Sequence, residues 1–181
     1  MRLTMESGSA LELTLASGRL RCPVCQGRLR PWGVARARAI RVLWGPDRIV
    51  QPRRTRCSNC QVTHVLLPGW TLVRRAYEAA TIWRVLTEHV RGLGYRRIAL
   101  RMRLPETTVR DWLREFRREA PYLCDLQGGQ GDSAASAVAA FESAAGREPV
   151  WQVAVRLTEG RLLRNTSSPH IAVRSASCRG R

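Results

Sequence analysis

Four of the six cysteines fall in two short pairs, Cys22-Pro-Val-Cys25 and Cys57-Ser-Asn-Cys60, separated by 31 residues. A C-x-x-C turn points two sulfurs at one ion, and two such turns together complete the tetrahedral all-sulfur shell of structural zinc. A catalytic ion keeps one position open for water or substrate, so this closed shell predicts one structural Zn2+ and no metal catalysis. A redox dithiol is the competing use of such pairs, but no strand feeding a thioredoxin-type helix accompanies them. His64 could replace one sulfur; four thiols already fill the shell, which leaves it outside. Cys124 and Cys178 then read as incidental thiols.

No catalytic set emerges elsewhere. His64, His89 and His170 have no spacing that presents a general base, and no glycine-rich phosphate loop occurs, so the chain reads as no enzyme. Charge is the second chemical signal. Among 181 residues, 31 are basic, all of them arginine, against 14 acidic, a formal net charge of +17. Four thiolates around one zinc ion would lower that value by about 2. The field selects an acidic partner: nucleic acid, an anionic surface or an acidic protein. Arginine suits bidentate contact with phosphate and guanine, although a GC-rich genome would equally replace every lysine. Residues 1–75 hold 14 arginines and 3 acids, so the cysteine-rich region carries most of the field.

No apolar run approaches the roughly 20 residues needed to cross a bilayer, and Val62 to Leu67 and Val150 to Leu157 are the best candidates. No N-terminal apolar run with a processing site precedes the cysteines. The expected setting is reducing and cytoplasmic, nucleoid-associated, with no membrane partner.

The elements that must position these groups follow from periodicity. An N-terminal segment (1–20) precedes a zinc ribbon at 21–68. Within the ribbon, Val34 to Trp44 partly alternates, Gly45-Pro46-Asp47 turns, and Arg48 to Arg56 returns as a partner strand with Pro52 at an edge or bulge. This hairpin brings the two cysteine turns to one end. Val62, Val65, Leu66 and Leu67, with Trp32 or Trp44, are its expected apolar side, and Arg53, Arg54 and Arg56 are candidates for phosphate contact or charges that guard an edge strand.

A helical unit at 69–120 follows. Ala79, Ile82, Trp83, Leu86 and Val90 recur at helical spacing from about Trp70 or Ala76 to Val90; Gly92 and Gly94 end that helix. A short helix, Tyr95 to Met102, turns inward Ile98, Ala99 and Met102. Pro105 precedes a third helix, Glu106 to Arg118, with Val109, Trp112, Leu113 and Phe116 inside. This spacing is what a helix-turn-helix needs. Thr107, Thr108, Arg110, Asp111 and Arg114 then lie where side chains can approach base edges, a role that competes with a merely solvated face. Arg96, Arg97, Arg101 and Arg103 suit backbone positioning. Arg103 stands where a glycine would relieve a positive φ.

With Cys22, Cys25, Cys57 and Cys60 ahead of Tyr95-Arg96-Arg97-Ile98-Ala99 and Val109-Arg110-Asp111-Trp112-Leu113, residues 21 to 118 resemble the zinc-ribbon plus helix-turn-helix N-terminal region of bacterial insertion-element transposases, and stand-alone actinobacterial proteins of that type. The resemblance implies double-stranded DNA binding, with these cysteines on zinc and the helical stretch as reader. A whole transposase of that kind also carries three carboxylates on a ribonuclease-H-like domain. Asp125, Asp132, Glu142, Glu148 and Glu159 lack the alternating strands and helices of such a domain.

A linker is expected at 121–133, glycine-rich from Gln127 to Ser133. A C-terminal helical segment at 134–165 follows, built from Ala134 to Ala145 (Ala134, Val138, Phe141, Ala145 inward) and Pro149 to Leu157 (Val150, Val153, Ala154, Leu157 inward), and then a flexible tail at 166–181. The two helices either cap the reader or form a homodimer that sets two readers on adjacent half-sites. The sequence thus points to a noncatalytic transcription regulator or mobile-element accessory factor on duplex DNA. Its alternative is a zinc-ribbon module for RNA or an acidic protein of the transcription or translation machinery.

Overall fold

The structure, a computed structural model, describes residues 8–128, 131–158 and 162–163. A short helix and a small antiparallel β region come first, followed by five helices. The elements are α1 (Gly8–Ala16), β1 (Leu29–Val34), β2 (Arg38–Ile40), β3 (Arg48–Val50), β4 (Arg53–Cys57), β5 (Thr63–Leu66), α2 (Ala79–Val90), α3 (Tyr95–Met102), α4 (Glu106–Leu126), α5 (Ala134–Ala145) and α6 (Val150–Leu157). The expected tail lies outside the described residues.

The hairpin between the cysteine pairs is longer than its alternation suggested. Its outgoing leg starts at Leu29 and runs through β1 and β2, and the return leg is β3 then β4. Arg38 pairs with Val50 and Ile40 with Arg48, while Leu29 pairs with Cys57 and Val34 with Arg53. Both legs break near Pro52, where the Ala35 amide donates to the Pro52 carbonyl (2.8 Å). A third strand, β5, adds to β4 with Thr55 opposite His64.

The apolar side of this region differs from expectation. Leu66 and Leu67 are buried, but Val62, Val65, Trp32 and Trp44 are exposed. The core instead gathers Leu15 of α1, Leu20, Leu29 and Leu66 around Cys22 and Cys57. With so few large side chains, the sulfur cluster occupies the place of a hydrophobic centre.

The second core is helical. Ile82, Val85 and Leu86 of α2, Ile98 and Met102 of α3, and Val109, Leu113 and Phe116 of α4 meet Ala137, Val138 and Phe141 of α5 and Ala154 and Val155 of α6. The Trp83 and Phe141 rings meet edge to face at 5.7 Å. In α6, Val155 is buried where Leu157 was expected, and Leu157 is exposed. The last two helices pack in-chain against α2 and α4.

Helix α4 is longer than the 106–118 reading, and residues 121–126, expected in a linker, belong to it despite Pro121. Proline removes one helical donor, a cost of about 3 kcal/mol. Ala120, Leu123 and Cys124, all buried around it, offset that cost by burial. Ser133 caps α5, its hydroxyl accepting from the Ser136 amide at 3.0 Å.

Arg103 ends α3 at φ 51° and ψ 42°, and the Leu104 amide donates to the Ala99 carbonyl at 2.9 Å. The left-handed region costs a side-chain-bearing residue about 1–2 kcal/mol, part of which glycine's own entropy would take back. Arg103→Gly is therefore expected to stabilise the fold by about 0.5–1 kcal/mol, seen as a raised denaturant midpoint at unchanged slope.

The two cores are joined by a seam. The Arg41 amide donates to the Ala76 carbonyl (2.7 Å) and the Glu78 amide to the Arg41 carbonyl (3.1 Å). The Arg41 guanidinium reaches the Tyr77 hydroxyl at 3.0 Å, and the Tyr77 ring meets Trp112 edge to face at 5.2 Å. Arg48 lies over Trp70 at 3.8 Å and Arg84 of α2 over Trp44 at 4.6 Å. Among the described residues no helix is long and apolar enough to cross a membrane.

Candidate metal centre and basic face

Two turns of similar build present the sulfurs. In the first, the Cys22 amide donates to the Gly27 carbonyl and the Gln26 amide to the Cys22 carbonyl, both at 2.8 Å; in the second, the Cys57 amide donates to the Val62 carbonyl at 3.0 Å. Gln26 (φ 60°) and Gln61 (φ 62°), each following the second cysteine of its pair, are left-handed. The Ser58 amide ties the turns together by donating to the Arg28 carbonyl at 2.9 Å.

All four sulfurs lie within 4.8 Å of one another. Cys22 and Cys60 are 3.6 Å apart and Cys25 and Cys57 3.4 Å, too far for a disulfide, whose sulfurs sit at about 2.05 Å. The cluster is one that could hold a metal ion, with all four predicted ligands brought together.

The backbone prepares the thiolates. The Gly27 amide lowers Cys25 to about 6, helped by the Cys57 and Cys60 thiols and opposed by burial. At Cys60 the Val62 amide also lowers the pKa, but burial and the neighbouring thiols outweigh it and push the group up to about 12. Thiol ligands must lose their protons to bind a metal, so uptake weakens as the pH falls.

His64 is buried, and burial lowers its pKa. Its Nε2 sits 3.4 Å from Cys22 Sγ, where an Nε2–H tautomer donates to the sulfur and braces it. A Cβ added at Gly27 would lie 2.8 Å from Asn59 Cβ, 2.9 Å from Cys57 Sγ and 3.3 Å from Cys25 Sγ. Gly27→Ala is thus expected to force two ligands apart and weaken metal retention by about 10–100-fold, the range of outer-shell changes, as measured by competition with a chromogenic chelator.

The expected reading residues share the outer side of α4. Thr107, Asp111 and Arg114 are exposed, and Thr108 and Arg110 are half-buried at the rim of the core. Arg110 contacts Asp111 at 3.4 Å. Of the four arginines placed on backbone, Arg96 pairs with Glu106 at 3.8 Å and Arg101 with Glu88 at 3.2 Å. Arg97, Arg103 and Arg114 have no carboxylate partner among the described residues.

Arg117 was missed. With Tyr95, Arg110, Leu113 and Arg114 it lines a depression of about 340 Å³. The signal was in the spacing, since Arg110, Arg114 and Arg117 recur at i, i+4 and i+7 and must share one helical side.

In the β region Arg53 is held by Glu12 of α1 at 2.6 Å, so its head group braces that helix. Arg54 is exposed. Arg56 lies over the Trp32 ring at 4.6 Å, and its Nε donates to the Gln61 carbonyl at 3.2 Å.

Compared with known families, residues 22–112 match the one described as Domain of unknown function (DUF6431). This span takes in both cysteine pairs, the seam, α3 and the first turns of α4. No curated protein and no solved structure matches the chain.

Proposed function

The chain belongs to the family described as Domain of unknown function (DUF6431), and for this member we propose a noncatalytic double-stranded DNA-binding protein: a zinc ribbon fastened to a helix-turn-helix. In that reading α3, the turn at Arg103 to Pro105, and α4 form the helix-turn-helix. Arginines capture phosphates, and α4 reads the major groove.

The division of faces on α4 carries the proposal. Val109, Trp112, Leu113 and Phe116 are buried while Thr107, Asp111 and Arg114 of the same turns face solvent, and the preceding α3 brings Arg97 to the same unit. Core packing explains the first set and leaves the second free for a ligand. The last two helices use their apolar faces within the chain, so a dimer on DNA would need another surface.

One structural Zn2+ suits the cluster. Four thiolates at about 2.3 Å from a tetrahedral ion stand about 3.8 Å apart, close to the 3.4 and 3.6 Å seen for two of the pairs. The ion would supply cross-linking between the turns and no open position for chemistry. The role that fits is a cytoplasmic, nucleoid-associated regulator or mobile-element accessory factor.

The test is base-resolved affinity on randomised duplexes. Arg110→Ala or Arg114→Ala should flatten discrimination at particular base pairs by about 1–3 kcal/mol, the worth of one bidentate base contact. Losses equal on every sequence would remove both residues from the reading role, and no duplex binding by the intact protein would overturn the proposal.

A further inference from the structure

The outward face of the β1-β4-β5 sheet has no protein covering it among the described residues, and its composition is unusual for a solvated sheet. Across β1 and β4, Arg30 stands directly opposite Arg56, and Arg54 lies opposite Val65 of β5. Like charges placed directly opposite destabilise a strand pair. No acidic residue occurs in any of the three strands to relieve them.

The same face carries a tryptophan. Trp32 is 54% exposed and takes the Arg56 guanidinium against its ring at 4.6 Å. Its position is set by a bulge: the β1-β4 register shifts between Pro31 and Gly33, and Gly33 adopts φ 105°. Bulges re-aim side chains, and this one leaves a large ring beside the arginines rather than in the core. The buried side of the sheet is meanwhile filled by Leu29, Thr55, Cys57, His64 and Leu66, so the metal cluster stiffens the platform from behind.

We propose that this sheet face binds unpaired nucleotides of single-stranded nucleic acid, with Trp32 stacking a base and Arg30, Arg54 and Arg56 taking the adjoining phosphates. An anionic chain resolves the Arg30–Arg56 repulsion, which selects the charge of the occupant. The open aromatic ring selects unpaired bases over a duplex, whose base faces are already stacked, and over an acidic peptide, which offers carboxylates and no planar surface. The site lies on the β region and stands apart from the α4 face, so absence of duplex binding would leave it untouched.

The test uses the full-length, metal-loaded protein and a labelled oligothymidine of about 15 nucleotides, several times the footprint of one stacked base, followed by anisotropy. Trp32→Ala should weaken binding by about 5–150-fold, the range one stacked base is worth, whereas Trp32→Phe should keep most of the affinity. Arg54→Gln should lower the salt slope by about 0.7, the single-strand value per phosphate contact. Duplex affinity should stay within about twofold for Trp32→Ala, since a stacked duplex hides its base faces.

Unchanged oligothymidine binding by Trp32→Ala with its metal intact would overturn the proposal. Equal displacement by polyglutamate at matched charge would also overturn it and assign the face to acidic proteins. Should Trp32→Ala shed its metal, Arg54→Gln decides: an unchanged salt slope in that variant overturns the proposal.

Discussion

Stripping metal from the protein with a strong chelator is expected to melt the β region while α2 to α6 keep most of their structure. The β core consists of Leu15, Leu20, Leu29 and Leu66 with Cys22 and Cys57, far less apolar surface than the strands and turns need to offset their ordering entropy. An ion bound by the four cysteines would therefore supply most of the folding free energy there, on the order of 10 kcal/mol by comparison with isolated zinc-binding peptides. Amide exchange is the suitable readout. Protection should vanish at Cys57, whose amide bonds the Val62 carbonyl, and along β4 and β5, but persist at Ile82 and Val109. Cys57→Ser should reproduce the loss without chelator. Unchanged protection in the metal-free protein would show that the cluster does not hold the fold.

Affinity for duplex DNA is expected to fall by about 3 to 5 decades between 50 and 200 mM salt if 6 to 10 phosphates are contacted. Several arginines are available without first breaking an ion pair: Arg97, Arg103, Arg114 and Arg117 of the helical unit have no carboxylate partner among the described residues. Arg96 and Arg101 must release Glu106 and Glu88 before they can serve. Each unpaired arginine replaced by alanine should reduce the log–log slope by about 0.9 when it contacts a phosphate. A slope near zero would mean that the +17 charge is not used on a polyanion.

The cysteine cluster and the three helices around α4 were legible because their signals are local. C-x-x-C spacing fixes ligand geometry within four residues, and Val109, Trp112, Leu113 and Phe116 repeat at helical period over several turns. The left-handed turn at Arg103 could likewise be foreseen from the distance between two helical patterns. The strands were harder. β1 reads Leu-Arg-Pro-Trp-Gly-Val, where Pro31 and Gly33 hide a bulged strand, and β5 has four residues, too few to show a period.

Other features depend on partners distant in sequence. Pro121 looks like a helix end until the burial of Ala120, Leu123 and Cys124 against the rest of the core is known. Glu12 meets Arg53 across 41 residues, and Arg41 meets Tyr77 across 36. Nothing in either neighbourhood announces the other. The two tryptophans assigned to the β core lie outside it because sulfur, not carbon, fills that centre.

The junction at Arg41 ties the β2–β3 arm to the helices at the place where a two-part molecule would ordinarily bend. Main-chain bonds leave that residue on both its amide and carbonyl sides, and the Tyr77 phenol continues the link by an edge-to-face contact with Trp112 of α4. Swinging the β2–β3 arm away from the helices would break all of these at once. A target that touched both the β2–β3 arm and α4 would therefore meet two surfaces tied through one residue, so that weakening this tie would loosen both holds together.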